Sequence, residues 1–159
     1  MLAVDRPVLL ALTWVVWWVA VLGIGSWITG QRAREICVRA WVGLFVLTLA
    51  AMALALVMPL GQPGARIAAW ALLTVGVVGF IRVGLWRRWR RIAIVAAVAL
   101  VAAALSSVEP SNYDLGLYHA GSIAYVREGG TVIGLANLHD RFGFSSSMWP
   151  LSAFLGLGL

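Results

Sequence analysis

Residues 7–29 read PVLLALTWVVWWVAVLGIGSWIT, an apolar run without a single acidic or basic side chain. A helix needs about 20 such residues to cross the hydrocarbon core of a bilayer. A helix that is hydrophobic on every face does not belong on the surface of a soluble domain. A secretory signal peptide is the competing reading, and it calls for a basic start, a shorter apolar region and a small-x-small cleavage site. Here Asp5 and Arg6 cancel, the run is too long, and another apolar run follows soon after Gly30. The stretch is therefore expected to be a permanent transmembrane helix, and it sets the class of the chain.

The pattern repeats along the sequence. Residues 40–58 (AWVGLFVLTLAAMALALVM), 67–86 and 92–108 form further apolar runs. The first is closed by Pro59, and residues 60–66 (LGQPGAR) carry the Gly and Pro of a tight turn. In the run 40–58, Ala51 and Ala55 form a small-xxx-small pair that allows close helix contact. Arg82 lies about one turn from the end of the run 67–86, from where its long side chain can reach the interface. The whole chain of 159 residues is 62% hydrophobic and only 11% charged. Soluble domains carry roughly a quarter charged residues and under half apolar ones. The expected class is an all-α integral membrane protein with four transmembrane helices over residues 1–108, at about 7–29, 40–58, 67–86 and 92–108.

The net charge is +6, and all twelve basic residues are Arg. In a soluble protein that balance would suggest nucleic acid. Here most of the Arg sit at the ends of apolar runs, which explains them without a nucleic-acid partner. Residues 31–39 hold Arg32, Arg34 and Arg39; residues 82–91 hold Arg82, Arg87, Arg88, Arg90 and Arg91. Four spans put those two loops on one face, opposite Arg6, Arg66, Arg127 and Arg141. The positive-inside rule then makes the two Arg-rich loops cytoplasmic and places the N-terminus and residues 109–147 on the outer side. WRRWRR at residues 86–91 reads as a topology anchor with interfacial Trp, and Trp14, Trp17 and Trp18 as packing or lipid-facing residues. Cys37 is the single cysteine and cannot form an internal disulfide.

The polar residues gather in one place. Residues 109–147 (EPSNYDLGLYHAGSIAYVREGGTVIGLANLHDRFGFSSS) contain four of the six acidic residues and both histidines. The span interiors contain no Asp, Glu, His or Lys, whereas transporters and pumps place such groups at membrane depth. Chemistry is thus expected in the outer loop. Residues 115–128 read as a short interfacial helix with Tyr118, Ser122, Tyr125 and Val126 near one face, ended by Gly129 and Gly130; residues 131–135 suit a short extended piece. Asp114 can act as a general base or hold a metal, and it can equally cap the helix that follows. Tyr118 shares its helical face, one turn on. His119 can be an acid, a base or a ligand, or simply a polar residue at the interface. In NLHDR (137–141), Arg141 suits bidentate contact with a phosphate or an ordinary surface pair with Asp140. Two His with Asp114 and Asp140 make a metal site conceivable, but their spacing follows no zinc pattern. No Gly-rich phosphate loop, CxxC, HExxH or GxSxG occurs.

After residue 147 the chain turns apolar again, and MWPLSAFLGLGL (148–159) is too short to cross a bilayer. It reads as the start of a fifth span, which would make this chain the N-terminal part of a larger polytopic protein; an interfacial segment is the other reading.

The strings YDLGLYH (113–119), GLANLHDRFGF (134–144) and the serines that follow resemble the outer loop of a family of bacterial polytopic membrane proteins carrying YDxGLYH and GLxNLHxRxGF. That family in turn resembles GT-C glycosyltransferases, which take sugars from polyprenyl-phosphate carriers. The resemblance implies a GT-C-like fold in the bacterial inner membrane. It also implies transfer of a sugar from a lipid-phosphate-linked donor to an acceptor at the outer face, with the remainder of the same polypeptide and membrane lipid as partners. By the same resemblance Asp114 takes the catalytic acidic role, with His119 beside it. His139 and Arg141 contact the carrier phosphate, Tyr118, His119 and Asn137 line the site, and Asp114 serves as base or as ligand of a divalent cation such as Mg or Mn, for which the residues themselves offer Asp140 as a second ligand. The alternative expectation is a non-enzymatic membrane scaffold or lipid-linked-glycan transport component whose outer loop binds a partner.

Overall fold

The structure, a computed structural model, describes residues 5–30, 35–106, 119–131, 134, 137 and 146–156. Among them every regular element is a helix: α1 (Asp5–Thr29), α2 (Ile36–Val57), α3 (Pro63–Arg82), a 3-10 turn (Leu85–Arg88), α4 (Trp89–Ser106), α5 (Ala120–Gly129) and α6 (Met148–Leu155). Three of these, over Val8–Thr29, Ile36–Val57 and Pro63–Arg82, are long and apolar enough to cross a membrane, and α4 adds a shorter apolar stretch, Ala93–Ala102. Trp41, Leu56, Val57, Ile67 and Leu105 are each more than two-thirds exposed. Water would strip so large an apolar surface of its stability, while lipid tails cover it at no cost. The chain is a membrane-embedded all-helical protein.

The helix ends differ from the expected ones for local reasons. α2 starts at Ile36, so Arg39 lies in its first turn and not in the loop. α3 starts at Pro63 instead of Ile67, because proline's missing N–H and fixed φ suit the first helical position. It ends at Arg82 instead of running to Trp86, because Gly84 takes a left-handed conformation (φ 72°) and redirects the chain.

The chain divides into two compact units, Met1–Leu44 with Leu73–Ser111 and Phe45–Leu72 with Asn112–Leu159. In the first, α1 is central. Its residues 20–26 are buried on every side, and α4 packs along it. A Cβ on Gly23 would land on the Gly76 carbonyl oxygen, one on Gly25 on that of Arg39, and one on Gly43 on that of Val21. A Cβ on Gly79 would lie 2.6 Å from the Gly23 carbonyl oxygen. These pairings run parallel for α1 and α3 and antiparallel for α1 and α2. Without Cβ atoms the backbones approach to direct contact, which replaces the hydrophobic drive that lipid does not provide. Hydroxyl groups in α1 are retired into the helix: Thr13, Ser26 and Thr29 donate to the carbonyls of Leu9, Leu22 and Gly25 at 2.7–2.9 Å. Leu22, Phe80 and Leu85 close a small apolar cluster with Val19, Ile36, Ala40 and Val83 around it.

Arg39 is only 6% exposed. Its guanidinium donates to Ser26 Oγ at 2.7 Å and to the Gly30 carbonyl at 3.0 Å, so it satisfies an oxygen left over where α1 ends. In the second unit, Ala51 and Ala55 of α2 are fully buried, as their spacing predicts, and Ala65 and Ala69 of α3 form a second small-residue stripe. α6 packs against α5 through a face containing Leu151 and Phe154, and Ser146 Oγ accepts from the Met148 N–H at its start.

Candidate functional site in the polar loop

The described part of the polar loop is built around α5. The helix ends where Gly129 and Gly130 lead the sequence to expect, and Gly130 (φ 70°) turns the chain away. Its last carbonyls have no partner within the helix. They are taken up by the turn at residues 58–62: the Leu60 N–H donates to the Val126 carbonyl at 3.1 Å and the Gly61 N–H to that of Arg127 at 2.8 Å. Beyond Gly130 the Thr131 N–H donates to the Ala55 carbonyl of α2 at 2.8 Å. Three backbone hydrogen bonds therefore stitch the loop to the end of α2 and the turn after it. Two glycines permit this. A Cβ on Gly61 would lie 2.7 Å from the Arg127 carbonyl oxygen, and one on Gly130 would lie 3.0 Å from that of Ala55.

Docking leaves a cleft of about 380 Å³ lined by Pro59, Gly61, Gln62, Ala124, Arg127 and Glu128. A much smaller crevice, about 10 Å³, lies between Arg127, Arg66 and Phe154. The guanidinium of Arg127 and the amide of Gln62 offer donors suited to an oxygen-rich anion, and Glu128 offers an acceptor for a hydroxyl. Spacing gave no warning of this group, because Gln62 and Arg127 come from segments far apart in the chain.

Of the expected site residues, two are described. His119 sits at the start of α5, half-buried, with helical backbone. Asn137 is exposed, and its N–H donates to the Gly134 carbonyl at 2.9 Å, with Gly134 left-handed (φ 89°); of residues 131–135, expected to be extended, Thr131 and Gly134 are described and the others lie outside the described residues. Asp114, Tyr118, His139, Asp140 and Arg141 lie outside the described residues. Among the described residues no group of three or more His, Cys, Asp or Glu is placed to hold a metal. Of the face expected to carry Tyr118, Ser122, Tyr125 and Val126, Ser122 is buried, Val126 half-buried and Tyr125 exposed. Ser122 Oγ makes no hydrogen bond, which costs about 1–3 kcal/mol for a buried hydroxyl.

No curated protein and no solved structure matches the chain at a significant level. A family described as a domain of unknown function (DUF8201) matches residues 8–158, and this chain belongs to that family.

Proposed function

We propose that the chain works in a GT-C-like membrane glycosyltransferase, which moves a sugar from a lipid-phosphate donor to an acceptor at the outer face of the bacterial inner membrane. The observation that carries the reading is the stitched outer loop. The polar segment is held against the turn at 58–62 by backbone hydrogen bonds, beside a cleft lined by Arg127, Gln62 and Glu128. The shorter apolar stretch of α4, Ala93–Ala102, is the support for a fourth crossing. With four crossings, the distribution of Arg places residues 31–39 and 82–91 inside and the loop outside.

In this reading the Asp114 carboxylate takes the proton of the acceptor hydroxyl as its oxygen bonds to the anomeric carbon. The bond from that carbon to the carrier phosphate breaks, and the phosphate leaves with the electron pair. Arg141 and His139 stabilise the leaving phosphate, with Arg127 a further donor at the cleft. Tyr118, His119 and Asn137 line the acceptor side. A divalent cation would draw on Asp114 and Asp140.

Replacing a general base costs about 10²–10⁴-fold in rate. Asp114→Asn in the full-length protein is expected to insert and fold normally and to lose glycan transfer on that scale, measured with a lipid-phosphate-sugar donor in reconstituted vesicles. Undiminished transfer by the variant overturns Asp114 as the base, whereas no transfer by the native protein favours the scaffold reading, in which the loop binds a partner and the carboxylate is dispensable. A reporter fused after Gly130 that reads cytoplasmic removes both.

A further inference from the structure

The ends of α1 and α3 enclose a second site that the outer loop does not involve. Ser26, Trp27, Gly30, Gly79, Arg82 and Val83 line a cleft of about 310 Å³, at the low end of the roughly 300–1,000 Å³ that ligand sites span. Its wall is fixed in place. The Trp27 indole N–H donates to the Val75 carbonyl at 3.0 Å, reaching from α1 to α3. Gly79 makes room for the ring, since a Cβ there would lie 2.5 Å from the indole nitrogen. Arg82 lies over this immobilised ring, its guanidinium carbon 4.9 Å from the ring centroid. Stacking uses the flat face of a guanidinium and leaves its edge donors free to bind.

The surroundings select the ligand. Directly behind the cleft, Arg39 is buried against Ser26 and Gly30, so a second positive charge backs the same wall. The Ser26 hydroxyl is committed to Leu22 and Arg39, and so it positions the cation instead of binding the ligand. None of the described lining residues is acidic. Both helices finish here, which puts the cleft at the depth where lipid headgroups begin. Two other cation–π pairs, Arg87 over Trp86 and Arg90 over Trp89, join sequence neighbours. Among the described residues, Arg82 and Trp27 alone pair across two helices and line a cavity.

We propose that this cleft binds a phosphate group, and specifically the phosphate of an anionic lipid headgroup. Arg82 grips the phosphate oxygens through its guanidinium edge, and Trp27 holds Arg82 in the binding orientation. The assignment is independent of glycan transfer. A protein with no transferase activity would still bind here, and an active transferase would work with the cleft empty.

The test uses the full chain in a neutral detergent, titrated with short-chain phosphatidylglycerol and read by native mass spectrometry. Phosphatidylcholine and soluble glycerol phosphate are run in parallel. Loss of one bidentate charge-assisted pair is expected to weaken phosphatidylglycerol binding about tenfold or more in Arg82→Gln. Arg82→Lys, which keeps the charge without the planar fork, is expected to fall between. Arg90→Gln is expected to bind as the native chain does. Equal binding by Arg82→Gln and the native chain overturns the proposal, and so does an equal loss in Arg82→Gln and Arg90→Gln, which would mean diffuse surface charge. Glycerol phosphate competing as well as the lipid overturns the lipid assignment in favour of a soluble phosphate ligand. If Arg82→Gln fails to fold, Arg82→Lys decides: native-strength binding by the lysine variant refutes the bidentate grip.

Discussion

Glycine is used in two opposite ways in the two units. Along α1, Gly23 and Gly25, with Gly76 and Gly79 of α3 and Gly43 of α2, remove side chains so that helix backbones touch. No hydrogen bond between the glycines is involved, and the contact consists of van der Waals packing along regular helices. At the polar loop, Gly61 and Gly130 let the chain come close enough to exchange backbone hydrogen bonds with orphaned carbonyls of α5 and α2. The first arrangement is set by volume and has no slack, because each added atom meets backbone in the interior of a helix. The second is set by geometry at an edge, where a docked element can move away while the spans stay packed. The comparison predicts that the same substitution has global consequences in one place and local ones in the other.

The largest effect is expected at the seam. Gly23→Leu drives a branched side chain into the backbone of α3, and the cost should reach or pass the top of the about 1–3 kcal/mol typical of overpacking. Thermal melting in detergent should show a lowered midpoint for the whole chain. A loss no greater than that from Gly61→Leu would break the comparison.

At the loop, Gly61→Ala places its methyl 2.7 Å from the Arg127 carbonyl oxygen, so the turn and the end of α5 must separate slightly. About 1–2 kcal/mol of local stability should be lost, within the range of unmade backbone hydrogen bonds. Amide hydrogen exchange should rise about tenfold at residues 60, 61 and 131, at 1.4 kcal/mol per factor of ten, and remain native at residues 20–26. Faster exchange in α1 would mean that the loop and the spans open together.

The same contrast explains what was legible in the sequence. Helix existence was plain in α1, α2 and α3, because a bilayer demands long apolar runs and each of the three carries one. The small pair Ala51 and Ala55 was visible for the same reason, since its four-residue spacing is local. The seam was not visible. Gly23 and Gly25 are two apart and Gly76 and Gly79 three apart, and their partners are carbonyls on other helices. Arg39 looked like one more positive charge in a loop, because burial against Ser26 and Gly30 depends on how α1 and α2 meet. For the candidate site, Gly129 and Gly130 marked the end of α5 correctly. The cleft with Gln62, Arg127 and Glu128 had no signature, because it exists only once the loop has docked. The motif residues Asp114, His139 and Arg141 rest on the sequence and its resemblance, and they lie outside the described residues.

The smallest expected effect tests a single atom. Trp27→Phe keeps an aromatic ring against α3 and removes one donor, the indole N–H that meets the Val75 carbonyl at 3.0 Å. The seam contacts at Gly23 and Gly76 are untouched, so the volume argument predicts near-native packing. The lost bond should cost about 0.5–1.5 kcal/mol, a shift of a few degrees in the melting midpoint. The consequence for the cleft is larger than for stability. A phenyl ring has a weaker quadrupole than indole and no anchor, so Arg82 loses both its attraction to the face and the fixed position of that face. Phosphatidylglycerol affinity should therefore fall several-fold while the fold barely weakens. An unchanged affinity would show that the bond to Val75 is structural only, and that Arg82 finds its orientation without the ring.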